Sequence, residues 1–282
     1  MTNTLAQHYS IPKLLRFTLP TILVMVFTSI YGVVDGYFLS SVAGKTAFAA
    51  VNFIMPVLMI LASFDFMMGA GSSALVGKTL GEQNPQKARK QMTSLLTATV
   101  ILRMILSVLG LVFLRPLLEW MDCSEQMMPY ALQYGSILQL SLPLYMIQMY
   151  FQSIFVTAGI PQAGFAVTFA GGMLNIVQDV LFVGVLGWGA PGAAIATALG
   201  QLLCAALSIL CFLSPAKKPF RLKEDKVLYF TASRIRLKEF GQAALNGISE
   251  LFSNCASSLI SILYNYQLMR FAGEDGVAVY GT

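Results

Sequence analysis

The chain has 282 residues, of which 56% are hydrophobic and only 11% charged, with a formal net charge of +5 and a mean hydropathy of +0.70. That balance excludes a soluble globule and predicts an all-α integral membrane protein, because a helix satisfies its own backbone where no water can. The basic excess comes with no base-reading module and no aromatic-interleaved basic patch, which excludes nucleic acid as a partner and leaves the lipid bilayer.

Seven apolar stretches are each long enough to cross a hydrocarbon layer of ~30 Å as a helix. They cover residues 14–38, 52–76, 92–116, 131–157, 163–187, 191–213 and 239–271. Lys13 and Arg16 lead directly into the first, so no cleavable leader is expected. Pro20 falls in its first turns and Pro143 in the middle of the fourth. Each removes a backbone hydrogen bond, which makes it a candidate hinge or a static kink. The second stretch ends in residues 71–79, which resemble a phosphate-binding loop. Five residues instead of four separate its glycines and no strand precedes it, so ATP is not expected. A basic, polar segment separates the sixth stretch from the seventh. Lys13-Leu14-Leu15-Arg16-Phe17 before the first stretch is echoed by Arg236-Leu237-Lys238-Glu239-Phe240 before the seventh. Parallel six-helix repeats are a recurrent transporter plan. The expected organisation is therefore a six-helix lobe over 1–213, a cytoplasmic linker over 214–236, and the first helix of an incomplete second lobe over 237–282.

With the N-terminus cytoplasmic, fourteen Lys and Arg fall on inner segments. Only Lys45, Arg115 and Arg270 fall outside, and Arg103 lies within a span. The positive-inside bias fixes that orientation in a cell membrane. His8 is the only histidine, and Cys123, Cys204, Cys211 and Cys255 have no metal-ligand spacing. No nucleophile or metalloprotease motif occurs in the spans, so an enzyme is not expected.

Four acids lie inside spans: Asp35, Asp65, Asp179 and Glu250. An ionised group at mid-membrane costs ~2.5–3.5 kcal/mol, so each needs a partner or a task. Asp35, Asp179 and Thr197 fall at matching depths, and Asn175 shares the face of Asp179 one turn deeper. Two carboxylates, an amide and a hydroxyl at one depth make an oxygen-rich pocket for a Na+ ion or a shared proton. The plainer alternative is that each acid bonds a neighbouring helix. Asp65 and Arg103 each stand thirteen residues from the same edge of consecutive spans, which predicts a structural ion pair.

Further stretches carry a resemblance. They are Tyr31-Gly32-Val33-Val34-Asp35-Gly36, Gly69-Ala70-Gly71-Ser72-Ser73 with Leu80-Gly81-Glu82, Ala158-Gly159-Ile160-Pro161, Asn175-Ile176-Val177-Gln178-Asp179, and Gly189-Ala190-Pro191-Gly192 through Thr197. In order and spacing this set resembles the multidrug and toxic compound extrusion (MATE) family of cation-coupled antiporters. The resemblance implies a twelve-helix fold of which this chain is a truncated part. It also implies export of organic cationic or amphipathic compounds by alternating access, in exchange for H+ or Na+ and with no other cofactor. It assigns coupling to Asp35, Asn175, Asp179 and Thr197, or in another branch to an acid on the seventh helix, here Glu250. Two readings compete. A lipid-linked saccharide flippase is disfavoured because Arg103 is the only basic residue in the middle of a span. A non-transporting truncated fragment is the other, since a single lobe does not form the cleft between two.

Overall fold

The computed structural model describes residues 11–213 and 228–280. The expected linker is therefore described only from residue 228, and its 214–227 portion, like His8, lies outside the described residues.

Among the described residues there are seven α-helices: α1 (Ile11–Val42), α2 (Lys45–Gly81), α3 (Pro85–Trp120), α4 (Met128–Thr157), α5 (Pro161–Asp179), α6 (Gly189–Phe212) and α7 (Leu237–Tyr280). Among the described residues there is no strand. The helices overrun the apolar stretches that announce them, because hydropathy marks what lies in lipid while caps decide where a helix stops. Asn84 ends one such overrun: its side chain accepts the Lys87 N–H, and Pro85 occupies the first helical position beyond it. Only Ala43 and Gly44 separate α1 from α2, and Gly44 holds a left-handed φ of +88° that an L side chain resists. α7 breaks similarly at Gly273, with φ +62°.

Among the described residues five helical segments are long and apolar enough to cross a membrane; α4 and α7 fall short. The reason is that α4 is the hub. It packs against α2, α3, α5 and α6, so Gln139 and Tyr150 on it face protein instead of lipid. The lipid-facing load falls on helices such as α1 and α3, where Leu19, Met25, Val33, Ile105, Val108 and Phe113 are exposed. Apolar surface of that extent is unfavourable in water and natural in a bilayer.

Burial follows three layers along the bundle. One apolar core joins Phe53, Ile54, Leu114, Leu118, Ala131 and Tyr134 at the end that carries the α1–α2 and α3–α4 turns. A second joins Met68, Met92, Phe151, Ile154, Phe155 and Phe212 at the opposite end. Between them runs a polar waist of Ser63 and Asp65 on α2, Arg103 and Ser107 on α3, and Gln139 and Ser141 on α4. Its hydrogen bonds are mostly to backbone: Ser107 Oγ donates to Gln139 O, and Gln139 Nε2 donates back to Ser107 O at 3.3 Å. Each such bond removes the cost of a polar group stranded in hydrocarbon.

Candidate functional site

Asp35 belongs to α1 and Asp179 is the last residue of α5. What brings them together is glycine. A Cβ at Gly172 would overlap the Phe27 ring of α1, and one at Gly171 would overlap Cys204 Sγ of α6, so side chains of both neighbours press directly on the α5 backbone. Immediately past Asp179 the helix widens into a π-helical turn, Val180–Val185, where Leu186 N–H donates to Leu181 O. Such turns sit often at functional sites because they reset side-chain direction without ending the helix. The fifth span is thus not one regular helix, as its sequence suggests.

The carboxyl groups of Asp35 and Asp179 are within side-chain hydrogen-bonding reach of each other. Asp179 is fully buried and Asp35 half-buried. No protein donor reaches either Asp179 oxygen or Asp35 Oδ1. Two facing carboxylates without donors repel unless a proton or a cation lies between them.

One turn further along, a cavity of about 40 Å³ opens between α1, α4, α5 and α6, lined by Tyr31, Tyr145, Gln148, Thr168, Asn175, Thr197 and Gln201. It has room for a small number of waters. Asn175 is buried, and neither its Nδ2 nor its Oδ1 has a protein partner. Asn175 and Thr197 both line this cavity. The tyrosines are what sequence reasoning missed. Tyr31 interacts electrostatically with Asp35, Tyr134 with both Asp35 and Asp179, and Tyr145 with Tyr31. Helical spacing held the signal: Tyr31 lies four residues before Asp35, and Gln201 four after Thr197.

Asp65 and Arg103 meet in the polar waist, with Arg103 Nε 3.2 Å from Asp65 Oδ1 and both side chains 0% exposed. The contact is a close ion pair whose alignment falls short of a hydrogen bond, and Asp65 Oδ2 and both Arg103 Nη atoms have no hydrogen-bond partner in the protein. Tyr145 interacts with this pair as well as with Tyr31, so it stands between the two acid sites. Glu250 is exposed on α7 and shares no described hydrogen bond or ion pair with the Asp35 site. Pro20 is buried and Pro143 half-buried, and α1 and α4 each run continuously through them. Among the described residues no three His, Cys, Asp or Glu side chains group as metal ligands.

A helical bundle with an apolar outer surface, short turns and acids held in its interior defines a multi-pass membrane protein. The MatE family profile matches residues 20–181, and the chain belongs to the MatE family. Family members are transporters, not enzymes. Over 278 residues the chain is 26% identical to the probable multidrug resistance protein YoeA of Bacillus subtilis, spanning 94% of this chain and 57% of that one. Over 199 residues it is 28% identical to an FAD transporter of Shewanella oneidensis, spanning 69% of this chain and 44% of that one. Among solved structures, a dye complex of the MATE multidrug transporter DinF-BH superposes at a TM-score of 0.86 with 26% identity, covering 100% of this chain and 61% of the other. An inward-facing MATE transporter of the MOP superfamily superposes at 0.79 with 22% identity, covering 90% and 56%. The chain spans about half the length of the curated relatives it matches.

Proposed function

We propose that the protein is the N-terminal part of a secondary antiporter. In this reading it exports organic cationic or amphipathic compounds from the cytoplasm in exchange for H+ or Na+. The observation that carries the proposal is the Asp35–Asp179 pair: two facing carboxyl groups with no protein donor at either Asp179 oxygen or at Asp35 Oδ1. Such a pair binds a proton or a small cation and releases it when the separation of the two helices changes, which converts an ion gradient into a population shift. Asn175 and Thr197 supply the neighbouring oxygens, and Pro20 and Pro143 are the candidate hinges. Glu250 is a candidate acid for the part of the protein beyond α6, whose linker begins after residue 213. Export of drugs is supported by the multidrug relatives and by the dye-bound structural neighbour. Lipid-linked saccharide export is the weaker reading, because Arg103 is engaged by Asp65 and so is not offered to a diphosphate.

The test is export of a fluorescent cationic dye by cells that express the full-length protein of which this chain is a part. Asp35→Asn and Asp179→Asn should each abolish gradient-driven export while the protein remains inserted. Parental export by both variants would overturn the proposal.

A further inference from the structure

α7 meets the first six helices differently at its two ends. At the end that carries the α2–α3 turn, the segment leading into it is embedded. Leu228 is 1% exposed, and the Phe230 ring meets Phe151 edge-on at 5.9 Å while Phe151 stacks on Phe212 at 5.1 Å. The N–H groups of Phe230, Thr231 and Arg236 donate to Phe212 O, Thr93 Oγ1 and Ser94 Oγ at 2.9, 3.2 and 3.2 Å. In the first turn of α7, Glu239 Oε1 accepts from Gln91 Nε2 of α3 at 3.5 Å. One to two turns on, α2 and α7 touch backbone to backbone, since a Cβ at Gly71 would overlap Ala243 O and one at Gly247 would overlap Met67 O. Parting the helices there would leave a void that no side chain refills.

The opposite end is held by side chains. Asn265 Nδ2 donates to Asn52 O at 3.1 Å, and Ile262, Leu268 and Met269 pack half-buried against the apolar core there. Between Ser258 and the break at Gly273, Asn265 alone is buried. Side chains exchange rotamers and partners where a backbone contact does not. No proline interrupts α7 between Leu237 and that break, so the helix moves as one rod. A tilt of ~10° about Gly247 carries Cys255 by about 2 Å and Asn265 by about 5 Å, given 1.5 Å of rise per residue. We propose that α7 is a lever. Its start stays pinned to the first six helices, its fulcrum is the Gly71–Gly247 crossing, and its far end swings from α2 at the Asn52–Asn265 contact. The sequence repeat assigns α7 to the second lobe, yet its first turns move with the first. That the swing opens a route for cargo rests on the transport reading above, whereas the lever itself rests on contacts within this chain.

Spin labels test the motion in the full-length protein, its native cysteines replaced, in phosphatidylcholine nanodiscs with and without a fluorescent cationic dye. Labels on Lys87→Cys and Lys238→Cys, both exposed positions, span the pinned end, and labels on Lys45→Cys and Arg270→Cys, also exposed, span the far end. Pulsed dipolar spectroscopy should give one narrow distance at the first pair and two populations about 5 Å apart at the second. A second population at the first pair, or a single distance at the second in both conditions, overturns the lever. Bridging adds a functional arm. A short reducible bis-thiosulfonate across Thr93→Cys and Thr231→Cys should leave dye export at the unbridged rate, whereas one across Asn52→Cys and Asn265→Cys should abolish it until reduced. Export lost to the first bridge, or kept through the second, overturns the proposal as well. The two readings fail separately. Two far-end distances in a protein that exports no dye before bridging remove the transport reading and leave the lever. Dye export with one far-end distance throughout does the reverse.

Discussion

Arg103 is the largest fully buried side chain in the described residues, and its ion-pair partner is Asp65. Neither has a hydrogen-bond partner in the protein, so each depends on the other for the offset of its desolvation. Neutralising one member, as in Asp65→Asn or Arg103→Gln, should destabilise the fold by about 3–5 kcal/mol because it strands the opposite charge. The thermal midpoint of the detergent-extracted protein measures this. The exchange Asp65→Arg with Arg103→Asp should recover most of the loss, whereas an exchanged protein no better folded than the single variants would deny the pair any structural role. Equal depth on consecutive helices was enough to place these two charges opposite each other. The tyrosines around Asp35 were less legible: an interior tyrosine is read as packing until the neighbouring helix shows what its hydroxyl faces.

At the level of elements, the contact between α2 and α7 depends on two small residues. A Cβ at Gly71 would overlap Ala243 O, and one at Gly247 would overlap Met67 O. Along the same seam Ser63 Oγ lies 3.2 Å from Cys255 Sγ. Ser63→Cys should therefore form a disulfide with Cys255 under a membrane-permeant oxidant, seen as protection from thiol alkylation. Gly247→Leu in that background should lower the yield severalfold by wedging the helices apart, and an unchanged yield would show that the close crossing is not required. The segment 228–236 ties the start of α7 to α3 and α6. It has no regular secondary structure, and its backbone N–H groups donate to Phe212 O, Thr93 Oγ1 and Ser94 Oγ while Tyr229 stacks under Arg89 at 4.0 Å. Sequence alone labelled this stretch only as polar linker, because an irregular strap has no period and its partners on α3 lie over a hundred residues away. α7 itself carries three kinds of position: Ala243, Gly247 and Ser258 buried, Leu245, Phe252 and Leu263 exposed and apolar, and Asn246, Glu250 and Ser253 exposed and polar. A helix so mixed averages to a moderate hydropathy, which is why it falls short as a span by composition.

For the whole molecule, the distribution of Lys and Arg gives an orientation that can be checked directly. With the four native cysteines replaced, Gln83→Cys at the α2–α3 turn and Glu125→Cys at the α3–α4 turn place thiols at exposed positions on opposite ends of the bundle. An impermeant maleimide added to intact cells should label position 125 and spare position 83. The opposite pattern would invert the assignment of the N-terminus to the cytoplasm.

Composition by itself determined that this is a helical membrane protein, because apolar stretches of that length have no other stable arrangement in lipid. Spacing determined which residues share a helix face, since the helix has a fixed period, and so grouped Asn175 with Asp179. What the sequence did not hold was the distance between helices. That Asp35 faces Asp179 and that Asn175 and Thr197 line a cavity both depend on how closely neighbouring backbones approach. Glycines such as Gly172 and Gly247 permit that approach, but a glycine states only that space is available. Which neighbour fills it is decided by the packing of the assembled bundle.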